Sequence, residues 1–218
     1  MLSRLFLASE IASVLVKLPK LANFLPENTK VLFVENAAVP YGNPNELSWV
    51  KNDREAFLKM GFEVEILDIL SFKSEQEIET KLSSFEIIHF CGGNTLYLNY
   101  LIHKTRLYSI LKEKVTNGKI IYTGTSAGSM VASPDLYEIK NSLLEEIDSK
   151  YIEGIERKDY IGLNLVPFLI IPHTNNPDFI PDNIQTIQNL PKYKHPLITL
   201  ADGQAVWCEG GKFGIVEV

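Results

Sequence analysis

Lys119-Ile-Ile-Tyr-Thr-Gly-Thr-Ser-Ala-Gly-Ser-Met130 joins an apolar, β-branched run to the pattern Gly-x-Ser-x-Gly. The apolar run predicts a buried strand, and the residues after Gly128 predict the start of a helix. Glycine at positions 124 and 128 removes the Cβ atoms that would clash where the backbone reverses between the two elements. Such a turn holds Ser126 exposed at the end of the strand, beside the free N–H groups of the helix N-terminus.

Strand and helix patterns alternate along the chain on both sides of this turn. Strands are predicted at Arg4–Ala8, Lys30–Val34 and residues 63–69, 86–90, 165–171 and 197–200, and helices at residues 9–18, 45–60, 74–82, 96–115 and 181–190. This order is typical of a mainly parallel sheet with helices on both faces. Residues 205–208 and 213–218, joined by Gly210-Gly211, predict a C-terminal antiparallel hairpin. We therefore expect residues 1–218 to form a single α/β domain.

Composition and charge argue against several classes of protein. The formal net charge is −6 and no basic stripe offsets it, which argues against a nucleic-acid partner. No apolar run approaches transmembrane length, and Glu10 interrupts the one at the N-terminus, so we expect a cytoplasmic protein that does not bind membranes. Cys91 and Cys208 are expected to be buried free thiols outside any metal-binding pattern, so no metal or other cofactor is expected.

Polar residues follow four of the predicted strands, at Gly92-Gly93-Asn94-Thr95, Ser126, His173 and Asp202. Because the carboxyl ends of parallel strands share one edge of a sheet, we expect these residues to meet in a crevice there. Together they supply what acyl transfer requires. A hydroxyl attacks, an imidazole takes its proton, a carboxylate orients the imidazole, and fixed N–H groups stabilise the oxyanion.

Several of these residues also have an ordinary structural explanation, and His173 could be a core histidine or a surface side chain after a strand. Asp-Gly at 202–203 is a common hairpin dipeptide, and Asn94 and Thr95 are suited to cap a helix. If the acid precedes the histidine in the chain, Asp135 is the nearest candidate.

Asp135 begins a segment, residues 135–160, with eight acidic and four basic side chains. Such a segment is typical of a solvated helical hairpin, and the alternative is a mobile flap over a cleft.

Four segments resemble peptidase family S51, which contains aspartyl dipeptidase (peptidase E) and cyanophycinase. They are Cys91-Gly-Gly-Asn-Thr-Leu96, Tyr122-Thr-Gly-Thr-Ser-Ala-Gly-Ser129, Ile171-Pro-His-Thr174 and Leu200-Ala-Asp-Gly203. The resemblance implies a flavodoxin-like or class I glutamine-amidotransferase-like fold. It also implies Ser126 as nucleophile, His173 as base, and the N–H groups of Gly93 and Ala127 as oxyanion hole. Peptidase E has a glutamate as third member, in Leu-Pro-Glu-Gly, where this chain has the shorter Asp202.

The function that these patterns favour is a serine peptidase acting on short peptides, without a cofactor, through a Ser-His-Asp triad. Specificity for an N-terminal aspartate is only weakly indicated, because none of the four arginines follows His173. Arg157, in the acidic segment, is expected to form a solvated ion pair. Exposed strand edges near the C-terminal hairpin could support a homodimer.

Two other functions remain open from the sequence. One is an esterase of the α/β-hydrolase type, although those enzymes have the order Ser, acid, His, and this chain has Ser126, His173, Asp202. The other is a catalytically silent or regulatory binding protein on the same fold. Flavin binding is not favoured, because Ala8-Ser9-Glu10-Ile11 lacks a phosphate-binding loop and carries a negative charge.

Overall fold

Nine strands form two sheets in the computed structural model, which describes residues 3–143, 148–151 and 153–218. The strands are β1 (Arg4–Ala8), β2 (Lys30–Val34), β3 (Glu63–Leu67), β4 (Ile87–Phe90), β5 (Ile121–Thr125), β6 (Leu169–Ile171), β7 (Leu197–Thr199), β8 (Gln204–Glu209) and β9 (Lys212–Glu217). The main sheet has seven strands in the order β3-β2-β4-β5-β1-β8-β9. Strands β6 and β7 form a separate parallel pair.

The helices connect and cover these strands. They are α1 (Ile11–Val14), α2 (Leu18–Ala22), α3 (Ser48–Lys59), α4 (Glu75–Ser83), α5 (Thr95–Lys104), α6 (Leu107–Thr116), α7 (Ala127–Met130) and α8 (Ile180–Gln188). Side-chain caps set the start of two of them: the Ser74 hydroxyl accepts from the N–H of Glu77, and the Asn94 side chain accepts from the N–H of Tyr97. None of the helices in the described ranges has the length and apolarity needed to cross a membrane.

The central strands are buried, as parallel strands between helices should be. Phe6 of β1, Phe33 of β2 and Tyr122 of β5 are fully buried. Tyr122 pairs in parallel register with Leu5 on one side and Ile88 on the other. Strands β8 and β9 form an antiparallel hairpin, and β8 also pairs antiparallel with β1. The predicted fold class, a mainly parallel α/β sheet with a C-terminal hairpin, is confirmed.

The second sheet was not expected from the sequence. His173 and Asp202 follow β6 and β7, so they lie at the end of this smaller sheet and not on the edge of the main one. The physical reason is that β8 already occupies the free side of β1, with Leu5 opposite Cys208 and Ala8 opposite Ala205. The prediction that all four polar clusters share one sheet edge is therefore wrong, although the residues still meet.

Some predicted element boundaries also change. The helix predicted at residues 96–115 is two helices, α5 and α6, because Arg106 adopts a left-handed conformation (φ 63°) between them. The strand predicted at residues 165–171 is limited to β6, which begins two residues after Pro167. Proline cannot donate a hydrogen bond to a neighbouring strand, which is consistent with the later start.

The acidic segment at residues 135–160 lies only partly within the described residues, since 144–147 and 152 fall outside them. Its described part forms short 3-10 turns at Leu136–Ser142, Ser149–Tyr151 and Arg157–Tyr160. The side chains of Leu136 and Ile139 are buried in the hydrophobic core. The predicted helical hairpin is therefore wrong for the described part of this segment, whereas its charged residues Asp148, Glu153 and Lys158 are exposed to solvent, as predicted.

Both cysteines are buried and free, as predicted. Burial raises the pKa of the Cys208 thiol to about 12 and raises the pKa of the Cys91 thiol well above its ordinary value. Both thiols are therefore protonated at neutral pH, and the Cys91 thiol donates to the carbonyl oxygen of Gly92 at 3.2 Å. Since the thiolate is the reactive form, neither cysteine is suited to act as a nucleophile.

Gly128→Ala should destabilise the fold, because a Cβ at this position would overlap the carbonyl group of Phe90 in β4. Alanine usually stabilises a helix relative to glycine by roughly 0.5–1 kcal/mol. A fall in the free energy of unfolding would therefore indicate the overlap with Phe90 and not a change in helix propensity. We expect the free energy of unfolding in urea to fall by about 1–3 kcal/mol. Gly214→Ala is the control, since a Cβ there has open space. Equal stability of the two variants would contradict the close contact.

Candidate active site

The turn between β5 and α7 holds Ser126 in a strained backbone conformation. Its φ of 49° and ψ of −110° fall in a region that a residue with a side chain rarely adopts. The N–H of Ser126 donates to the carbonyl oxygens of Ala8 (3.0 Å) and Ser9 (3.1 Å). The buried hydroxyl of Ser129 donates to Ala8 (2.7 Å) and Gly124 (2.9 Å) carbonyls. These bonds fix the turn against the end of β1.

A second glycine-dependent turn, after β4, lies beside Ser126. Gly93 has a φ of 137°, and a Cβ on it would overlap the backbone of Ala37. A Cβ on Gly92 would lie 3.4 Å from the Cβ of Ser126, so the two turns are in contact. Within the described ranges, no acceptor binds the N–H of Gly93 or that of Ala127. Both groups remain available to a ligand.

His173 and Asp202 are joined by a hydrogen bond between the ends of β6 and β7. The imidazole Nδ1 donates to Asp202 Oδ1 at 2.7 Å, with both side chains mostly buried. Asn175 accepts a 2.7 Å hydrogen bond from the N–H of Asp202, which fixes the position of the acid. The ring of His173 stacks on Phe179, with centroids 4.5 Å apart. The imidazole is thus oriented by contacts on its edge and on its face.

Ser9 completes this arrangement, although no sequence motif indicated a role for it. Its side chain is fully buried at the end of β1. The Ser9 hydroxyl donates to Asp202 Oδ1 at 2.7 Å and accepts from the N–H of His173 at 2.8 Å. One hydroxyl therefore binds both members of the His-Asp pair. The signal that could have found it is its position, since Ser9 directly follows a buried strand next to β5.

A cavity of about 450 Å³ brings most of the predicted residues together. Ser126, His173, Asp202, Gly92 and Gly93 all line it. No hydrogen bond joins the Ser126 hydroxyl to the imidazole among the described residues, although both face this space. Such contacts are often long without substrate and tighten when it binds.

Asn94 and Ala127 have supporting positions next to this cavity. Asn94 caps α5 with its side chain, while its N–H donates to the Ala37 carbonyl oxygen at 2.8 Å. Ala127 is the first residue of α7 and its side chain is buried. Both residues therefore shape the cavity through the backbone conformation that they set, and not through side chains that line it.

The alternative acid, Asp135, lies elsewhere. It accepts a 2.5 Å hydrogen bond from Arg157 and another from the N–H of Tyr137. As predicted, Arg157 forms a solvated ion pair, and its side chain is 53% exposed. Asp135 is not among the residues that line the cavity. Of the two candidate acids, Asp202 is the one that contacts His173.

Comparison with other sequences finds similarity to peptidases. The model of Peptidase family S51 matches residues 8–216. An uncharacterised peptidase of Pasteurella multocida is 30% identical over 184 residues, which are 82% of this chain and 81% of the relative. Peptidase E of a Nostoc species is 34% identical over 158 residues, which are 72% of this chain and 57% of the relative.

Solved structures agree on the fold. A crystal structure from Listeria monocytogenes, of a protein provisionally assigned as a peptidase E, has a TM-score of 0.81 and 26% identity over the full length of both chains. A peptidase from an acI-B1 Actinobacterium has a TM-score of 0.65 and 19% identity, covering all of this chain and 88% of the other, and supports the fold alone. Because the family match spans nearly the whole chain and all four segments around the cavity, the protein belongs to peptidase family S51.

Proposed function

We propose that this protein is a serine peptidase that hydrolyses short peptides through Ser126, His173 and Asp202. The observation that carries the proposal is the 2.7 Å hydrogen bond from His173 Nδ1 to Asp202 Oδ1, in the cavity that Ser126 lines. Membership of a peptidase family supports the reaction class. A cavity of about 450 Å³ suits a ligand the size of a dipeptide or a slightly longer peptide.

The hydrogen bond to Asp202 sets the tautomer of the base. With a proton on Nδ1, the other ring nitrogen, Nε2, is an acceptor. Nε2 takes the proton of the Ser126 hydroxyl as Oγ attacks the carbonyl carbon of the substrate. Asp202 then stabilises the imidazolium that forms. This role requires the acid to hold its position, which the hydrogen bonds from Ser9 and to Asn175 support.

The attack places a negative charge on the former carbonyl oxygen. The N–H groups of Gly93 and Ala127 are the donors for it, and loss of one such donor typically lowers kcat by about 10²–10³. When the intermediate collapses, the imidazolium gives its proton to the departing amine and the C–N bond breaks. Water then attacks the resulting acyl-Ser126 ester, again with His173 as base, which releases the acid and restores the hydroxyl.

The first test is labelling of Ser126 by a fluorophosphonate probe. We expect mass spectrometry to find the label on the peptide that contains Ser126, and Ser126→Ala to lose both the label and peptide hydrolysis. His173→Ala should lose the label as well, because the hydroxyl is a weak nucleophile without its base. Full hydrolytic activity of a folded Ser126→Ala variant would show that another group is the nucleophile.

The second test separates the two candidate acids. Asp202→Asn should lower kcat by several orders of magnitude, on the order of 10⁴ where an amide replaces the acid of such a triad. Asp135→Asn removes the same charge from a carboxylate that binds Arg157 and not His173, and should leave kcat within about twofold of the wild type. Steady-state kinetics on one dipeptide compares them. The reverse order of effects would make Asp135 the functional acid.

The third test concerns Ser9, which acts through His173 and Asp202. Ser9→Ala removes a hydrogen bond to a carboxylate and one from the backbone of His173, so kcat should fall about tenfold to a hundredfold. KM should change little, because Ser9 does not line the cavity. Ser133→Ala is the matched control, since its buried hydroxyl has no hydrogen-bond partner within the described residues. A fall in stability with unchanged kcat would leave Ser9 with a structural role only.

A further inference from the structure

A buried carboxylate without a hydrogen-bond donor lies in the wall of the same cavity. Asp53, on α3, is 2% exposed and lines the cavity. Its Oδ2 atom has no hydrogen-bond partner within the described part of the chain. The nearest basic group is Nε2 of His89, at 3.8 Å, which is beyond hydrogen-bonding distance. Since buried charges are normally paired, this carboxylate is suited to receive a cation.

His89 does not supply the missing positive charge. Its burial lowers the pKa of the imidazole, an effect that the nearby Asp53 only partly opposes, so the ring is neutral at pH 7. The other nitrogen, Nδ1, is 3.0 Å from the hydroxyl of Thr123. Arg54 follows Asp53 in the chain but binds Glu35 at 3.1 Å. Asp53 therefore has no Lys or Arg counter-ion within the described residues, and its nearest ionisable neighbour is the buried His89, whose Nε2 also lacks a hydrogen-bond partner there.

The rest of the cavity adds negative charge. Glu10, Asp178 and Asp182 also line it, and none of them forms an ion pair with a Lys or Arg in the described ranges. No Lys or Arg is among the residues that line the cavity. The chain contains none at the positions outside the described ranges either, since these are Met1, Leu2, 144–147 and 152. The negative electrostatic potential of the cavity therefore attracts cations and repels acidic groups.

The arrangement favours an organic cation over a metal ion. Within residues 3–143, 148–151 and 153–218, no three His, Cys, Asp or Glu side chains are grouped so that they could hold a metal. A single carboxylate with free acceptor sites suits an alkylammonium group, which needs one strong acceptor and otherwise ordinary contacts. A peptide carries such a group at its N-terminus and on a lysine side chain.

We propose that Asp53 binds an ammonium group of the substrate, and that the cavity selects cationic peptides over peptides with an N-terminal aspartate. This substrate class rests on the proposed function, because it assumes that the peptide lies between Asp53 and Ser126. The two sources of the ammonium group, the peptide N-terminus and a lysine side chain, have the same chemistry and are separated by the choice of ligands below.

Binding to Ser126→Ala, measured by calorimetry, tests the proposal without requiring turnover. The ligands are Ala-Ala, acetyl-Ala-Ala, acetyl-Lys-Ala and Asp-Ala. If the N-terminal ammonium binds Asp53, Ala-Ala should bind about tenfold to a hundredfold more tightly than acetyl-Ala-Ala. If the lysine side chain binds there, acetyl-Lys-Ala should show that advantage instead. In either case Asp-Ala should bind more weakly than Ala-Ala.

The variants then assign the effect to one residue. In Ser126→Ala/Asp53→Asn the ratio of affinities between the cationic ligand and acetyl-Ala-Ala should fall below about threefold, because the amide of asparagine has no charge. In Ser126→Ala/Asp182→Asn, which removes the same charge from an exposed carboxylate at the same cavity, most of it should remain. Equal losses in the two variants would assign selectivity to the general field and overturn the role of Asp53. Tighter binding of Asp-Ala than of Ala-Ala, or no cationic advantage, would overturn the proposal.

Labelling of Ser126 keeps this proposal separate from the proposed function. An uncharged fluorophosphonate has no ammonium group, so labelling of Ser126 in the wild type tests the triad without relying on binding of an ammonium group by Asp53. Failure of the wild type to label or hydrolyse peptides would count against the proposed function, while the calorimetric comparison would still decide on Asp53. Thermal unfolding of Asp53→Asn serves as the check that the variant is folded.

Discussion

The hydroxyl group of Ser9 connects the two sheets at the cavity, and the geometry of the site depends on it. Ser9 lies at the end of β1 in the main sheet, while its partners, His173 and Asp202, follow the two strands of the smaller sheet. No backbone ladder joins these sheets among the described residues, and the Ser9 hydroxyl is one of the contacts that link them at the cavity. The hydroxyl does this with one donor and one acceptor contact, both below 3 Å.

Close backbone packing gives the opposite wall of the cavity its form. Ser126 is held at a positive φ, which costs on the order of 1–3 kcal/mol, and the turn persists because its surroundings leave no alternative. Gly124 and Gly128 let α7 approach the strands more closely than any side chain would permit. The Gly93 turn approaches Ala37 in the same way. The serine and the free N–H groups therefore derive their positions from backbone contacts and not from flexible side chains.

The elements that depend on a few neighbouring residues could be predicted from the sequence. The turn at Ser126, the buried strands and the cap of α4 at Ser74 were predictable because each depends on a few neighbouring residues. The pairing of β6 with β7 was not, because nothing within these strands records that β8 covers β1. Ser9 and Asp53 were missed for a related reason. Their environment comes from residues distant in sequence, and neither belongs to a recognisable motif.

The contact between Ser9 and Asp202 has a consequence for how this family can diverge. The two residues are 193 positions apart in the chain, yet they share one hydrogen bond of 2.7 Å. A glutamate at position 202 would be longer by one methylene, so its carboxylate would compete for the space in which Asp202 Oδ1 meets the Ser9 hydroxyl and the His173 imidazole. Substitution at either position therefore changes which residues are acceptable at the other. We therefore expect this chain to tolerate paired substitutions at positions 9 and 202 better than a substitution at one of them alone.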